Sequence, residues 1–584
     1  DGTAEIIGYH KWSATSLVVP DNLDGLAVTS IGDRAFSNHS SLIEITLPNS
    51  LTSIGDRTFS GCENLNDIAI PNSVTSFGDN PFAFCTSLNQ IIVRPDHPTL
   101  ATVDGVLFNK ADKCLLSYPA ARENTVYEIP QGILSIGHFA FAGCGSLRSI
   151  TFPDSVASVG DFAFSDCSSL SDITIPNSIT DVGDNPFASC TSLNQVIIRP
   201  DHPTLATIDG VLFSKADKRL LSYPAARENT AYEVPQGILI IGVSAFTGCI
   251  NLRDVTFPNS VTSIRENAFT SCSNLAAITF SDSITNIGNG AFFGCCNLLA
   301  ITIPDSVISI GEYAFYNCSS LSDITLSNSV ANIRDMAFAR CSSLTNVILP
   351  NSITSIERNA FTECINLREV IIPNSVKSIG DGAFVDCSSL SVITIPDSVV
   401  NIGSAAFYRC SSLRNITIPD SVKNIGKGAF IGCSNLSVIT LPNSITTIGD
   451  EVFRECSSLS NITLPGSVKS IGDGAFAGCT SFSGITLPDS VTNIGYGAFY
   501  GCSSLRSIII PDNVTSIGDE VFRECSSLTD ITIPDSVTSI GNGAFDECSS
   551  LKKIIVAADS YAHKYCEENG LPFVYQENTD WLNN

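Results

Sequence analysis

Cysteine and histidine are the side chains best equipped for chemistry in this chain, and their spacing decides which chemistry is open to them. There are 22 cysteines and six histidines among 584 residues. In a short secreted chain that many cysteines would argue for disulfides or a metal framework. Here nineteen of them, from Cys62 to Cys548, each stand three residues after a phenylalanine that itself recurs. Regular recurrence stacks them as a ladder whose neighbouring Cβ atoms lie about one strand spacing, ~4.8 Å, apart. A disulfide favours ~3.8 Å between Cβ atoms, and an unpaired cysteine packs as a small hydrophobe. The expectation is a row of buried, reduced thiols. Cys114, Cys296 and Cys566 fall outside the row, and no C-x-x-C is present, which argues against a zinc site.

The histidines are His10, His39, His97, His138, His202 and His563. None belongs to an H-E-x-x-H, and no G-x-S-x-G elbow accompanies them. Asp96-His97 and Asp201-His202 recur in matching contexts and could hold a cation, although a proline-bounded polar turn explains them as well. Glycines recur as G-x-G-A-F-x-G, as at Gly472, Gly474 and Gly478. A dinucleotide loop needs its last glycine one residue earlier, between a strand and a full helix. Gly426-Lys427-Gly428 lacks the Ser/Thr and spacing of a phosphate loop. No catalytic, cofactor-binding or metal-binding set emerges, and no cofactor is expected.

What positions these residues is a repeat. Phenylalanine recurs at 36, 59 and 82, at 141, 164 and 187, and then every 23 residues from Phe246 to Phe545, twenty copies in all. The copy Leu459–Ser481 reads LSNITLPGSVKSIGDGAFAGCTS. Leu459, Ile462 and Leu464 suit a short strand with alternate side chains buried. Pro465 ends it, and the Ser467 region supplies turn chemistry through side chains that bond nearby N–H groups. Val468 and Ile471 form a second extended, inward-facing piece, and Ala475-Phe476 sits in about one helical turn. One unit cannot bury its own apolar face, so the units must stack.

Both breaks in the spacing contain an insert. The two inserts, at about 94–130 and 199–235, are near-copies 105 residues apart, so a block of three units plus insert has been duplicated. Asp104–Phe108 and Cys114–Tyr118 read as a hairpin carried out from the stack. Residues 1–30 suit an N-terminal cap, with apolar pieces at Glu5–His10 and Ser16–Pro20, and 31–556 form the solenoid. Residues 557–575 suit a C-terminal cap of helix plus strand, with Ser560 and Gly570 at the helix ends. Residues 576–584 are a polar tail, and both ends read as closed.

The unit L-x-x-I-x-[IL]-P-x-S-[VL]-x-x-I-G-x-x-A-F-x-x-C resembles the BspA-like leucine-rich repeats, the Treponema pallidum type. Leu528, Ile531, Ile533, Pro534, Ser536, Val537, Ile540, Gly541, Ala544, Phe545 and Cys548 match it position by position. The resemblance spans roughly residues 28–556. His39, at a cysteine position, and Phe482, at the strand leucine, depart from it as packing variants. It implies a right-handed arc or horseshoe, mostly β, with a concave parallel sheet and short helical turns on the convex side. It also implies secreted or surface-exposed proteins, mostly bacterial, several of which act as adhesins.

On that fold the outward strand positions become the candidate contacts. Thirteen of the twenty units carry Thr between the two strand apolar residues, as at Thr174, Thr302, Thr394, Thr417, Thr440, Thr463 and Thr532; the others carry Ile or Ala. Thr there satisfies β-propensity alone. The positions just before vary more and offer Arg148, Asp172, Arg253, Asp254, Arg368, Glu369, Arg414, Arg506 and Asp530.

Composition narrows the partner. With 31 Lys and Arg against 58 Asp and Glu the chain carries −27, which repels nucleic acid and anionic lipid. No apolar run approaches the ~18 residues of a membrane-spanning helix. Hydrophobic residues make up 43%, enough for a large core. With what the resemblance implies, the chain reads as a non-enzymatic, monomeric, extracellular recognition or adhesion module, secreted or on a bacterial surface, that binds a host or microbial protein or glycan through its concave sheet. Any signal peptide or anchor would lie outside this segment. The alternatives are a spacer that displays another domain, a cytoplasmic scaffold suited to reduced thiols, and an enzyme with a pocket beside an insert.

Overall fold

Three short apolar stretches separated by proline, serine and glycine corners can bury themselves only by winding into a coil that stacks on its neighbour. The computed structural model, which describes residues 3–8 and 13–576, is wound this way into a mostly β parallel solenoid. Two compact units divide it, residues 1–284 and 285–584. His10 and residues 577–584 of the polar tail lie outside the described residues.

The coil of Phe384 shows the plan. Strand Glu369–Ile371 comes first, Pro373 to Val376 turn the corner, and Ser378–Ile379 form the second strand. Each strand pairs in parallel with the same strand one coil away. Asn346 faces Glu369, which faces Val392, while Ile356 faces Ile379, which faces Ile402. The third side is made of turns. Ala383, Val385 and Cys387 donate N–H bonds to Gly380, Gly382 and Phe384 of their own coil. Between them Gly382, Phe384 and Asp386 donate to Ser404, Ala406 and Tyr408 of the next coil, each at 2.8 Å. The stretch thus coils as expected, but as successive three-residue turns; among the described residues the one α-helix is Tyr561–Glu568. The alternation requires left-handed backbone at Gly382 (φ 62°) and Asp386 (φ 55°), two residues either side of the phenylalanine.

A constant 23-residue register sets like on like. Phe361, Phe384 and Phe407 stack with ring centroids 5.6 and 5.5 Å apart and planes within 6°. Ladder thiols donate to the carbonyl of the ring residue one coil back, as Cys387 does to Phe361 at 3.1 Å, and at the inserts Cys144 and Cys249 donate to Tyr118 and Tyr223. All 22 cysteines are free thiols. His39 and Phe482 are buried in the core positions they inherit, and Phe482 stacks on Phe476.

Polar residues of the repeat also bond between coils. Ser398 Oγ donates to the Val376 carbonyl at 2.7 Å, and Ser352, Ser467 and Ser536 repeat the bond. The bond runs along the stack to a carbonyl of the preceding coil, in place of the local turn chemistry expected within the serine's own corner. The aspartate after I-G does likewise: Asp381 Oδ1 accepts the Ser404 N–H at 2.7 Å.

The inserts differ from the projecting hairpin of the sequence reading. Each has three antiparallel strands, Leu100–Val103, Val106–Asn109 and Cys114–Ser117 in the first. Asp104 (φ 49°) and Gly105 (φ 79°) form a tight two-residue turn instead of opening a strand. Cys114–Ser117 then pairs in parallel with Ser135–Ile136, so the hairpin joins the sheet. Val106, Leu107, Phe108 and Leu115 are buried, since leaving four large apolar side chains in water would forfeit about 1.5–3 kcal/mol each. Tyr118 stacks on Phe141 at 5.1 Å, and Tyr223 on Phe246 at 5.0 Å. These tyrosines fill the rungs that the phenylalanine count leaves empty.

At the N-terminal end Thr3–Ile6 pairs in parallel with Leu26–Ile31. At the other end Ser560 caps the helix by accepting the His563 N–H, Gly570 (φ 64°) follows it, and Phe573–Tyr575 pairs with Lys553–Val556.

Candidate functional site

Strands of the first type hold their middle residue inward and the two flanking residues outward. Val370 is buried while Glu369 and Ile371 are exposed, and the same pattern recurs at Asn346–Ile348 and Val392–Thr394. Of the nine candidate residues Asp172, Asp254, Glu369 and Asp530 begin strands of this type, and the five arginines stand one residue before such strands. Arg148, Asp172, Arg253, Asp254, Arg368, Glu369, Arg414 and Arg506 are exposed, and Asp530 is half-buried beside Lys553. Arg148, Arg253 and Arg368 are tied by their N–H groups to the carbonyls of Thr125, Thr230 and Thr345 one coil back.

The nine do not converge. Arg148, Asp172, Arg253 and Asp254 belong to the first unit and the other five to the second. Asp172 accepts from Gln195 Nε2 at 3.2 Å, and Asp530 from Thr529 Oγ1 at 3.2 Å. Among the described residues none of the nine enters an ion pair.

What the sequence reading left unweighted is the aliphatic part of this face. Ile348 and Ile371 face each other across the register where most coils carry Thr, and they are 69% and 49% exposed. Val392, one coil further, is 51% exposed. A shallow depression of about 400 Å³ lies beside Ile348, lined by Asp323, Thr325 and Asn346. The available signal was the replacement of Thr by Ile at an outward position, which β-propensity alone does not require.

Most of the thiols and His97 are otherwise committed. Burial pushes the thiols of Cys62 and Cys433 up to about 12. His97 is buried, its Nδ1 accepts the N–H groups of Thr99 and Leu100, and its Nε2 pairs with the Pro71 carbonyl. With both ring nitrogens engaged it has no lone pair for a cation. Asp96 pairs instead with Arg94 and Asn72. Among the described residues no three His, Cys, Asp or Glu are grouped to hold a metal ion.

The BspA-type leucine-rich repeat region model matches residues 9–113, 123–231, 222–344, 354–483 and 446–568. The chain belongs to the BspA-type leucine-rich repeat family. Such a repeat protein serves generally in binding or scaffolding, and the family is generally non-enzymatic. Among solved structures this BspA-type chain is similar to a leucine-rich repeat protein of Bacteroides ovatus, at 25% identity over 82% of this chain and 99% of that one, with a TM-score of 0.43. A leucine-rich cell surface protein of Faecalibacterium prausnitzii is 26% identical over 69% and 90%, with a TM-score of 0.33. The leucine-rich repeat protein of T. pallidum is 30% identical over 35% and 84%, with a TM-score of 0.27. No curated protein matches the chain. Among the described residues no helix is long and apolar enough to cross a membrane.

Proposed function

We propose that this BspA-type protein is a non-enzymatic recognition module of a bacterial surface that binds a host or microbial protein or glycan through its outward strand face. The observation that carries this reading is the side-by-side exposure of Ile348 and Ile371 with the charged pair Arg368 and Glu369 at the strand entry. Exposed β-branched side chains flanked by charge make an apolar centre with a polar rim, the arrangement of a protein-binding patch. A rigid parallel sheet adds contacts along its length without new ordering cost. The surface location is supported by a relative described as a cell surface protein.

The test is a binding screen of the whole chain against immobilised matrix proteins, mucins and a glycan array. Ile348→Asp/Ile371→Asp and the charge-swapped Arg368→Glu/Arg414→Glu run beside it. A saturable hit weakened about tenfold or more in either variant supports recognition through this face. A hit unchanged in both moves the contact elsewhere. Thr394, Thr417, Thr440, Thr463 and Thr486 form a chemically uniform run that favours the spacer reading for that stretch. A blank screen with folded protein would extend that reading to the whole chain.

A further inference from the structure

The turn side of the second unit opens at the coils of Phe476 and Phe499. Many coils bear side chains at both left-handed positions, such as Tyr313 and Asn317, Met336 and Arg340, or Glu451 and Glu455. The coils of Phe476 and Phe499 have glycine at both, Gly474 with Gly478 and Gly497 with Gly501. No other two adjacent coils do. Without those side chains a cavity of about 480 Å³ opens over Gly474, Ala477 and Gly478. Glu451, Arg454 and Glu455 of the preceding coil form one wall. Tyr496 and Tyr500 form the other, and both reach across to the following coil. Tyr496 Oη donates to Glu520 at 3.0 Å, and Tyr500 Oη donates to Glu524. These bonds hold both rings along the stack, and Tyr496 is 53% exposed.

Charge on the border is unbalanced. Glu451, Glu455, Asp473 and Glu520 stand against Arg454 and Arg523. Each guanidinium is already shared between two carboxylates: Arg454 with Glu451 and Glu455 at 3.7 and 3.5 Å, Arg523 with Glu520 and Glu547 at 3.3 and 3.2 Å. Surplus negative charge therefore remains around a small-residue floor between tyrosines fixed in place.

We propose that this cavity receives an arginine or lysine side chain from a basic segment of a partner protein. The aliphatic stem lies on the glycine floor, and the cationic head meets the tyrosine rings and the free carboxylate oxygens. The overall charge of −27 draws such a segment towards the molecule, and the cavity supplies the local fit. The site lies on the turn side and is independent of the strand face.

Fluorescence anisotropy on the whole chain at 0.15 M salt tests it, with labelled octa-arginine, octa-lysine and uncharged octa-citrulline as probes. The filling variant is Gly474→Asn/Gly478→Arg. It copies residues tolerated elsewhere, Asn267 and Asn359 at the first position and Arg340 and Arg409 at the second, all at positive φ. The expected result is that a cationic probe binds about tenfold tighter than octa-citrulline, and that filling the cavity removes about tenfold. Tyr496→Ala/Tyr500→Ala should lose a similar factor with an unchanged thermal melt, and this pair decides the matter if the filling variant melts early. Equal binding of a cationic probe by wild type and variants would overturn the proposal and assign the attraction to diffuse surface charge. So would an oligosaccharide whose binding is lost on filling while peptide binding survives.

Discussion

Cys364 illustrates what a place in the ladder does to a thiol. It is fully buried, its Sγ donates to the Phe338 carbonyl at 3.1 Å, and desolvation pushes it up to about 12. The thiolate is the nucleophile, so at pH 8 such a group is almost wholly unreactive. Cys114, Cys296 and Cys548 alone are half-buried. A thiol-reactive dye should modify no more than these three in the native protein and all 22 after denaturation, as mass spectrometry would count. His97 and His202 titrate in the opposite sense. Burial is the first cause lowering both below the ordinary 6.5, with the Lys110 and Lys215 charges adding to it. A histidine depressed in the fold takes up protons more readily when unfolded, so its contribution is complete above pH ~6.5 and is lost as pH falls below that value. Denaturant midpoints should therefore drop between pH 7.5 and 5.5, and the drop should narrow in His97→Gln/His202→Gln.

At the scale of the element, the glycine after the second strand is the tightest point of the coil. A Cβ on Gly403 would lie 2.4 Å from the Asp381 backbone nitrogen and 2.5 Å from the Gly380 carbonyl carbon. Those atoms belong to the neighbouring coil and are held by its own ladder, so the coils would have to part. Gly403→Ala should cost ~2 kcal/mol or more by chemical denaturation. Gly466, with nothing within 4 Å of its added Cβ, is the control and should change by no more than about 0.5 kcal/mol on substitution by alanine. The inserts show why element type was easier to read than element placement. Their alternating apolar residues marked strands correctly, but whether a hairpin projects or joins the sheet depends on the partner it meets. Ser135–Ile136 is that partner, about twenty residues further along the chain.

For the whole molecule, acidity sets the terms of association. A basic ligand on either candidate surface should bind more weakly as salt rises from 0.05 to 0.5 M, because exposed charges are screened beyond a Debye length of about 10 Å at 0.1 M. Titration calorimetry at several salt concentrations checks this, and a flat response would assign the affinity to contacts such as Ile348 and Ile371. The 23-residue period, the phenylalanine and cysteine ladders and the parallel solenoid were legible from residue order, because a register equal to the period sets each residue on its own counterpart. The nine charged candidates were legible only as outward positions, since alternation along a strand reports a side and not a site. Tyr118 as the missing rung, the serine bonds between coils, the aliphatic pair Ile348 and Ile371 and the glycine opening beside Tyr496 and Tyr500 came from the tertiary structure. Each depends on which side chains of different coils become neighbours, and winding brings together residues that the chain holds 22 or more apart.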